Sequence, residues 1–228
     1  MKEHSPKWIN TILFDLDGVI IDSNDAIVNA WKTTAREYGC DISPEQIEKY
    51  IIGASHKYTL ENIFPHFSPE IRALIHKKVD QREAEAECVL INGLKPLLFQ
   101  LKNCPVNIGI VTSSWPEKIN NVLDQHNLHI FSCIISRHDV VRGKPDPLPY
   151  TTAIERLKTR PELTLVFEDS DNGIISALSA GAHCIAINNA NNTDILSVRD
   201  FNDITVSEKS LDYHFLGSTQ GLRCVTRN

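Results

Sequence analysis

Two aspartates separated by one residue follow a short apolar run near the start of the chain. Asp15 and Asp17 come directly after 11–14 (TILF), whose residues favour a buried strand, and Gly18 ends that strand. Because side chains alternate along a strand, both carboxylates project to one side while Leu16 turns into the core. Two buried carboxylates are costly unless cations meet them. The pair therefore predicts a divalent cation and a lysine, the groups that phosphoryl transfer uses.

Lys144 and an acidic pair stand in two motifs far downstream. Lys144 lies between a glycine and a proline in 142–147 (RGKPDP), and the proline restrains the backbone at a position where a merely solvated lysine needs no such restraint. The alternative is a surface lysine in a turn. Glu168 and Asp169 end a second apolar run, 163–167 (LTLVF). These charges fit the same metal-assisted phosphoryl-transfer site as the aspartate pair.

Hydroxyl groups follow another apolar run. Thr112 and Ser113 end 106–111 (VNIGIV), and Ser114 precedes a helix that begins at Pro116. Hydroxyl and backbone N–H groups at a strand-to-helix junction bind phosphate oxygens well. Ser114 also suits the N-cap of the helix, and the two roles are compatible.

Apolar runs alternate with helix-like segments through most of the chain. The predicted strands are 11–14, 106–111, 131–135, 163–167, 184–187 and, more weakly, 203–206. Helical periodicity between the later strands covers 116–126, 147–158 and 173–180. This alternation predicts an α/β fold with a parallel sheet and helices on both faces. Ligands bind such sheets beyond the carboxyl ends of the strands, where the charged motifs stand.

The interval between the first two predicted strands is helical in character. It spans about ninety residues, too many for one crossover helix. Apolar spacing predicts a helix over 25–38, and Ser43 and Ser68, each followed by proline and glutamate, are typical helix starts. We therefore predict an inserted α-helical domain and a core domain made of two segments, with the bounds 24–88 for the insert and 1–23 and 89–228 for the core.

Composition limits the classes of function. Of the 228 residues 42% are hydrophobic and 23% charged, and the formal net charge is −6. The absence of a basic face argues against nucleic-acid or anionic-membrane partners. The six cysteines show no CxxC spacing, which suits reduced thiols, and no apolar stretch is long enough to span a bilayer. We expect a cytoplasmic monomer without nucleic-acid or membrane partners.

Four motifs in a fixed order give the chain a family resemblance. With FDLDG, VTSS, GKPDP and FEDS around a helical insert, the chain resembles the haloacid dehalogenase-like superfamily over about residues 10–190. It is most similar to the branch of phosphatases and phosphoglucomutase-like proteins with a helical cap. The resemblance implies a Rossmann-like core with an inserted cap domain. It also implies a Mg²⁺-dependent phosphatase that hydrolyses a small phosphorylated metabolite, a sugar phosphate or a phosphoglycolate-like acid, through an aspartyl-phosphate.

The resemblance also implies catalytic roles for three residues. Asp15 matches the nucleophile, and Asp17 matches the general acid and base. Lys144 matches the lysine that neutralises Asp15 and the transferring phosphoryl group.

Binding roles follow from the same match. Thr112 and Ser113, together with Lys144, would bind the phosphoryl oxygens. The implied metal ligands are carboxylates at two strand ends and one backbone carbonyl: Asp15, Asp17 through its carbonyl, and Asp169, with Glu168 as a further ligand or as an outer partner.

The predicted cap domain, 24–88, contains weaker signals of substrate binding. His56 and Lys57 lie in 53–57 (GASHK), which matches the cap loop that faces the site in the family and would contact substrate; a solvated loop is the alternative. The nine histidines show no metal-binding spacing.

Other activities share this core. A dehalogenase needs neither Asp17 nor Asp169, and a phosphonatase needs a Schiff-base lysine that no cap motif supplies. A phosphomutase of the β-phosphoglucomutase-like kind carries a histidine where this chain has Ile27, and an arginine where it has His56. A catalytically silent binding protein commonly lacks core catalytic residues, and every one is present here. The sequence therefore favours hydrolysis, with the mutase and the silent binding protein as alternatives.

Overall fold

The computed structural model describes residues 8–52, 54–189, 195–207, 210–215 and 218–224. The chain divides into two compact units. The first consists of Met1–Asp22, Leu90–Pro116 and His126–Asn228, and the second of Ser23–Val89 and Glu117–Gln125. Along the described residues, no helix combines the length and apolar character needed to cross a bilayer.

Twelve strands are assigned within the described residues. In chain order they are β1 (Trp8–Ile9), β2 (Thr11–Phe14), β3 (Ile21–Asp22), β4 (Val89–Leu90), β5 (Asn107–Val111), β6 (Cys133–Ile135), β7 (Thr164–Glu168), β8 (His183–Ile187), β9 (Leu196–Val198), β10 (Ile204–Ser207), β11 (Ser210–Phe215) and β12 (Ser218–Cys224).

The helices fall between these strands. They are α1 (Asn24–Glu37), α2 (Pro44–Tyr50), α3 (His56–Ile63), α4 (Pro69–Glu85), α5 (Leu94–Leu101), α6 (Pro116–His126), α7 (Leu148–Arg156) and α8 (Asp171–Ser179), with short 3₁₀ helices at Pro161–Leu163 and Phe201–Asp203.

A six-stranded parallel sheet forms the centre of the first unit. Its strand order is β6-β5-β2-β7-β8-β9, with helices around it, so the predicted α/β fold class with a Rossmann-like parallel core is confirmed. β2 lies in the middle, and all four of its side chains are fully buried. Apolar strands buried on both faces are typical of parallel sheets covered by helices.

The register of the central strands aligns their carboxyl ends. Phe14 of β2 pairs with Ile110 of β5 and Phe167 of β7. The residues that follow these partners therefore emerge at one edge of the sheet, and the Asp15 N–H donates to the Phe167 carbonyl at 3.0 Å. This edge carries the sequence motifs.

Aromatic packing holds this part of the sheet. The rings of Phe14, Phe167 and Phe201 lie 5.1–5.9 Å apart, centroid to centroid, in tilted and edge-on arrangements. Burial of each such side chain stabilises the fold by about 1.5–3 kcal/mol. The strands that support the site are thus anchored directly beneath it.

A second sheet includes the C-terminal strands. Its order is β1-β12-β11-β10, with β1 and β12 parallel and the other neighbours antiparallel. The weak strand predicted at 203–206 corresponds to β10, whereas β11 and β12 were not predicted.

The second unit is built around four helices of the predicted insert. Ser43, Ser55 and Ser68 cap α2, α3 and α4, and Ser43 forms a capping box with Gln46. The core of this unit is apolar and is lined by Ala30, Trp31, Ala35, Ile42, Ile51, Leu60, Ile63, Phe64, Ile75 and Val79. The short helix α3 was not predicted, and residues Glu117–Gln125 of α6 group with this unit.

Candidate active site

The Asp15–Asp17 segment leaves β2 in a tight turn. Gly18 has φ +74°, a left-handed conformation that glycine adopts without strain. A Cβ atom at this position would lie 2.0 Å from Asp169 Oδ2. Glycine here therefore permits both the turn and the close approach of the Asp169 carboxylate to the aspartate motif.

Lys144 lies against the acidic groups of the first unit. Its Nζ is 2.9 Å from Asp15 Oδ1 and also donates to Glu168 Oε1. The Lys144 side chain is only 6% exposed, and Glu168 is fully buried. A buried ammonium between two carboxylates neutralises part of their charge and fixes its own position.

The loop that carries Lys144 is held at Asp146. The Asp146 carbonyl accepts a hydrogen bond from the Ser176 hydroxyl at 2.6 Å, and Asp146 Oδ1 accepts the Leu148 N–H at 2.9 Å. Arg142 pairs with the other Asp146 oxygen at 2.6 Å. These contacts tie the loop to the start of α7 and to the middle of α8, so Lys144 has a defined location.

Glu168 accepts five hydrogen bonds from the protein. Oε1 accepts from Lys144 and from the Tyr150 hydroxyl, the latter at 2.8 Å. Oε2 accepts from the Asp169 and Ser170 N–H groups and the Ser170 hydroxyl at 3.1–3.2 Å. These donors fix the Glu168 carboxylate beside Lys144, and its role as a further metal ligand or as an outer partner stays a prediction.

Gly173 makes room for that carboxylate. A Cβ atom there would lie 1.9 Å from Glu168 Cδ, so a larger residue would displace the glutamate. Ser170 caps α8, because its hydroxyl accepts the Gly173 N–H at 3.1 Å. The tight start of α8 therefore shapes the Glu168 pocket.

Asp17 is held by a hydroxyl that sequence reasoning treated as a helix cap. The Ser114 hydroxyl donates to Asp17 Oδ2 at 2.6 Å, and the Ser114 N–H donates to Thr112 Oγ1 at 3.0 Å. Thr112 and Ser114 are buried, whereas Ser113 is exposed. The β5–α6 junction thus fixes the orientation of Asp17, and phosphate binding by Thr112 and Ser113 stays a prediction.

Asn189 was missed by sequence reasoning. Its side-chain amide donates to the Asp169 carbonyl at 2.7 Å and to Asp171 Oδ1 at 3.1 Å. It follows β8, at the same edge of the sheet as the motifs. An amide directly after a strand end is the signal that could have revealed it.

Burial and crowding of charge shift two carboxyl pKa values upward. Burial raises the pKa of Asp15 to about 7, and Glu168 and Asp17 add to the shift although Lys144 opposes it. Burial raises the pKa of Asp169 to about 8, with further contributions from Asp15 and Glu168. Both shifts therefore reflect burial first and the neighbouring carboxylates second.

Lys144 and Tyr150 are shifted in the directions that keep both protonated. Burial lowers the pKa of Lys144, but the charges of Asp15 and Glu168 outweigh it and the net change is a rise. Burial, followed by the charge of Glu168, raises the pKa of Tyr150 well above its ordinary value. Lys144 is therefore a cation and Tyr150 a hydrogen-bond donor at neutral pH.

A divalent cation fits the acidic side of this site. Ligand oxygens of Asp15, Glu168 and Asp169 lie within 4.8 Å of one another. Carboxylate oxygens are the ligands that Mg²⁺ prefers, and a cation here would offset the charge of carboxyl groups whose pKa values burial and neighbouring carboxylates raise. The described residues thus suit the ion that the sequence predicts.

His56 and Lys57 belong to the second unit. They form the first turn of α3 rather than the loop that was predicted, and Gly53 of that predicted loop lies outside the described residues. Lys57 is 85% exposed, whereas His56 contacts His76 and Asp80. Their contact with substrate stays a prediction.

Comparison with known proteins places the chain in a family. The model of haloacid dehalogenase-like hydrolases matches residues 12–187. The chain therefore belongs to the haloacid dehalogenase-like hydrolase family, as the four motifs predicted.

Named relatives refine the class. The chain is 29% identical over 192 residues to validoxylamine A 7'-phosphate phosphatase of Streptomyces hygroscopicus subsp. limoneus, covering 82% of this chain and 90% of the relative. It is 31% identical over 178 residues to hexitol phosphatase A of Escherichia coli K12, covering 77% and 82%. The structure of a haloacid dehalogenase family hydrolase from Entamoeba histolytica matches with TM-score 0.76 and 26% identity, covering 88% and 97%. These relatives confirm the predicted enzyme class, a phosphoric monoester hydrolase.

Proposed function

We propose that the protein is a Mg²⁺-dependent phosphatase that hydrolyses a small phosphorylated metabolite through an aspartyl-phosphate on Asp15. The observation that carries the proposal is the contact between Asp15 and Lys144 at the carboxyl end of the central strand, beside Glu168 and Asp169. Repulsion by a phosphate dianion is the main obstacle to a carboxylate nucleophile, and positive charge beside it lowers that barrier.

In the first step, Asp15 attacks the phosphorus. One carboxylate oxygen forms the new P–O bond while the bond to the leaving-group oxygen breaks. Asp17, held by Ser114, gives its carboxyl proton to the leaving oxygen. Lys144 neutralises charge on Asp15 and on the phosphoryl oxygens.

In the second step, water hydrolyses the aspartyl-phosphate. Asp17 takes a proton from water as the water oxygen bonds to phosphorus and the acyl-phosphate P–O bond breaks. Inorganic phosphate leaves, Asp15 returns to the carboxylate, and Asp17 is protonated again. Asp17 thus acts once as an acid and once as a base.

Asp15, Asp169 and the Asp17 backbone carbonyl are the groups proposed to hold Mg²⁺, with Glu168 as their buried neighbour. When bound, the ion supplies charge stabilisation to the transferring phosphoryl group. Gly18 contributes by allowing Asp169 to approach the aspartate turn.

Hydrolysis is favoured over phosphoryl transfer to a sugar by the second unit. A mutase must exclude water and hold a sugar hydroxyl close to phosphorus, which requires polar clamping groups. Ile27, where the mutase pattern has a histidine, packs against the apolar core of the second unit. By their names, the relatives act on validoxylamine A 7'-phosphate and on hexitol phosphates, and we propose a polyol or sugar phosphate as substrate.

A metabolite screen tests the proposal. Purified protein is given polyol phosphates, hexose phosphates and phosphoglycolate, with Mg²⁺ or with a chelator, and inorganic phosphate is measured. We expect phosphate release from at least one polyol or sugar phosphate, loss of release on chelation, and recovery with Mg²⁺. Full activity after exhaustive chelation would contradict the metal assignment, and isomerisation of a hexose 1-phosphate faster than phosphate release would favour the mutase.

A further inference from the structure

A compact group of histidine and carboxylate side chains lies in the second unit. It joins the first turn of α3, through His56, to two turns of α4, through His76 and Asp80. His76 and Asp80 are four residues apart on one helix and therefore lie on the same face. The proposed catalytic mechanism uses none of the three.

Three potential ligand atoms converge on one point. His56 Nδ1 is 2.6 Å from His76 Nε2, and Asp80 Oδ1 lies 3.5 Å from the first nitrogen and 3.4 Å from the second. At Zn–N and Zn–O lengths of about 2.0–2.1 Å, two ligands of a tetrahedral ion lie about 3.3–3.4 Å apart. The two distances to Asp80 Oδ1 already match this separation. The distance between the two histidine nitrogens needs to increase by about 0.7 Å.

The surroundings also suit a metal-bound histidine. His56 turns its other ring nitrogen, Nε2, toward Glu83 Oε1 at 3.7 Å. Ligating histidines usually direct the second nitrogen to a carboxylate or carbonyl, which fixes the ring orientation. Glu83 is itself buried and lies 3.1 Å from Lys118 Nζ, so this carboxylate is held in place.

Packing restrains the ligands further. The Trp31 ring meets the His56 ring edge to face, with centroids 5.6 Å apart.

The three ligand side chains are 17–34% exposed, which leaves a path for an ion and a position for water. Imidazole and carboxylate together suit Zn²⁺ and related first-row divalent ions better than Mg²⁺.

We propose that His56 Nδ1, His76 Nε2 and Asp80 Oδ1 form a binding site for a Zn²⁺-class transition metal ion, with water as a further ligand. The ion joins α3 to α4 within the second unit. Its ligands are distinct from the carboxylates proposed to hold Mg²⁺, and the inference does not rest on the proposed function.

The number and affinity of transition metal ions bound per full-length chain test this site. Metal-free protein is titrated with Zn²⁺ by equilibrium dialysis and with Co²⁺ by visible absorption, both in excess Mg²⁺ to occupy the carboxylate site. His76→Ala and Asp80→Asn each remove one ligand, and His66→Ala, an exposed histidine of the same unit, is the matched control. Asp80→Asn removes charge with little change of shape.

The site predicts one Zn²⁺-class ion per chain that depends on these ligands. His76→Ala and Asp80→Asn should weaken its binding by more than about 100-fold, since loss of an outer partner alone costs 10–100-fold. His66→Ala should bind as the unchanged protein does. Zn²⁺ should raise the melting temperature of the unchanged protein and of His66→Ala only. Equal ion counts and affinities in all four proteins, or no such ion in the unchanged protein, would overturn the proposal.

Discussion

Two buried lysines, one in each unit, each contact a buried glutamate. Lys144 pairs with Glu168, and Lys118 pairs with Glu83, and all four side chains are 6% exposed or less. The first pair lies where strands end, beside the carboxylates of Asp15 and Asp169. The second lies between helices. A buried ion pair alone therefore does not identify the proposed phosphoryl-transfer site; the feature that distinguishes Lys144 is the group of carboxylates beside it.

The two pairs should respond alike in stability and differently in turnover. Removing one member of a buried pair leaves an uncompensated charge, which typically costs about 3–5 kcal/mol. Only at Lys144 does the same cation also face the proposed nucleophile. Paired substitutions at the two lysines therefore separate structural from catalytic charge.

Lys144→Met gives the largest expected effect. It removes the cation from Asp15, so turnover should fall by at least about 10²–10³-fold, the usual cost of losing one electrostatic stabiliser. Steady-state phosphate release and a circular dichroism spectrum of the same sample provide the measurement. Near-normal turnover in folded Lys144→Met would remove the distinction between the two pairs.

Lys118→Met should mainly lower the stability of the folded protein. With Glu83 left as a buried charge, the free energy of unfolding should drop by about 3–5 kcal/mol in urea titration. Turnover per folded molecule should fall far less than in Lys144→Met. A loss of turnover equal to that of Lys144→Met, without destabilisation, would contradict the structural role.

Gly18→Ala tests the close approach of Asp169 to the aspartate turn. Gly39 is the matched control, because it has a similar positive φ, +72°, but nothing lies within 4 Å of an added Cβ. Both variants share the backbone strain of about 1–2 kcal/mol. Only Gly18→Ala should also lower turnover and raise the Mg²⁺ concentration needed for half-maximal rate. Equal kinetics in the two variants would show that the clash between the added Cβ and Asp169 does not affect the proposed metal site.

Tyr150→Phe is expected to have the smallest effect. It removes one donor from Glu168 while Lys144 remains, and an under-satisfied buried carboxylate costs about 1–3 kcal/mol. We expect a modest drop in melting temperature and a reduction in turnover smaller than that of Lys144→Met. A turnover loss as large as that of Lys144→Met would assign Tyr150 a direct part in the chemistry.

The same comparison explains what the sequence could predict. Glu168 and the aspartates stand in short motifs at strand ends, and strand patterns place such ends at one edge of a sheet. Lys144 lies in the loop between β6 and α7, where its own short motif identified it. Six predicted strands were found, because apolar β-branched runs carry a strong local signal. The site-forming residues of the first unit were therefore accessible from local sequence and topology.

The polar contacts of the second unit could not be predicted from local sequence patterns. His56 lies twenty residues from His76, and Lys118 lies far from Glu83 in the chain, so tertiary packing alone brings them together. Only the spacing of His76 and Asp80, four residues apart on one predicted helix, was readable in advance. Helix α3 was missed because it spans only eight residues, too few to show a clear helical period.

Within the first unit, the supporting contacts were also hidden. Tyr150, Ser114 and Asn189 act through hydrogen bonds to residues many positions away. Their residue types have many uses, and no local pattern separates a positioning role from a capping or packing role. Motif reasoning identifies residues that do chemistry more readily than residues that hold them.

The most direct test of the central claim is detection of phosphate on Asp15. An aryl phosphate with a good leaving group needs no proton from Asp17 in the first step, so Asp17→Asn should form the aspartyl-phosphate and hydrolyse it slowly. Rapid acid quench followed by peptide mass spectrometry should show one phosphoryl group on the peptide that contains Asp15, and none in Asp15→Asn. Turnover of the aryl phosphate without phosphoryl transfer to Asp15, or transfer to another residue, would contradict the account.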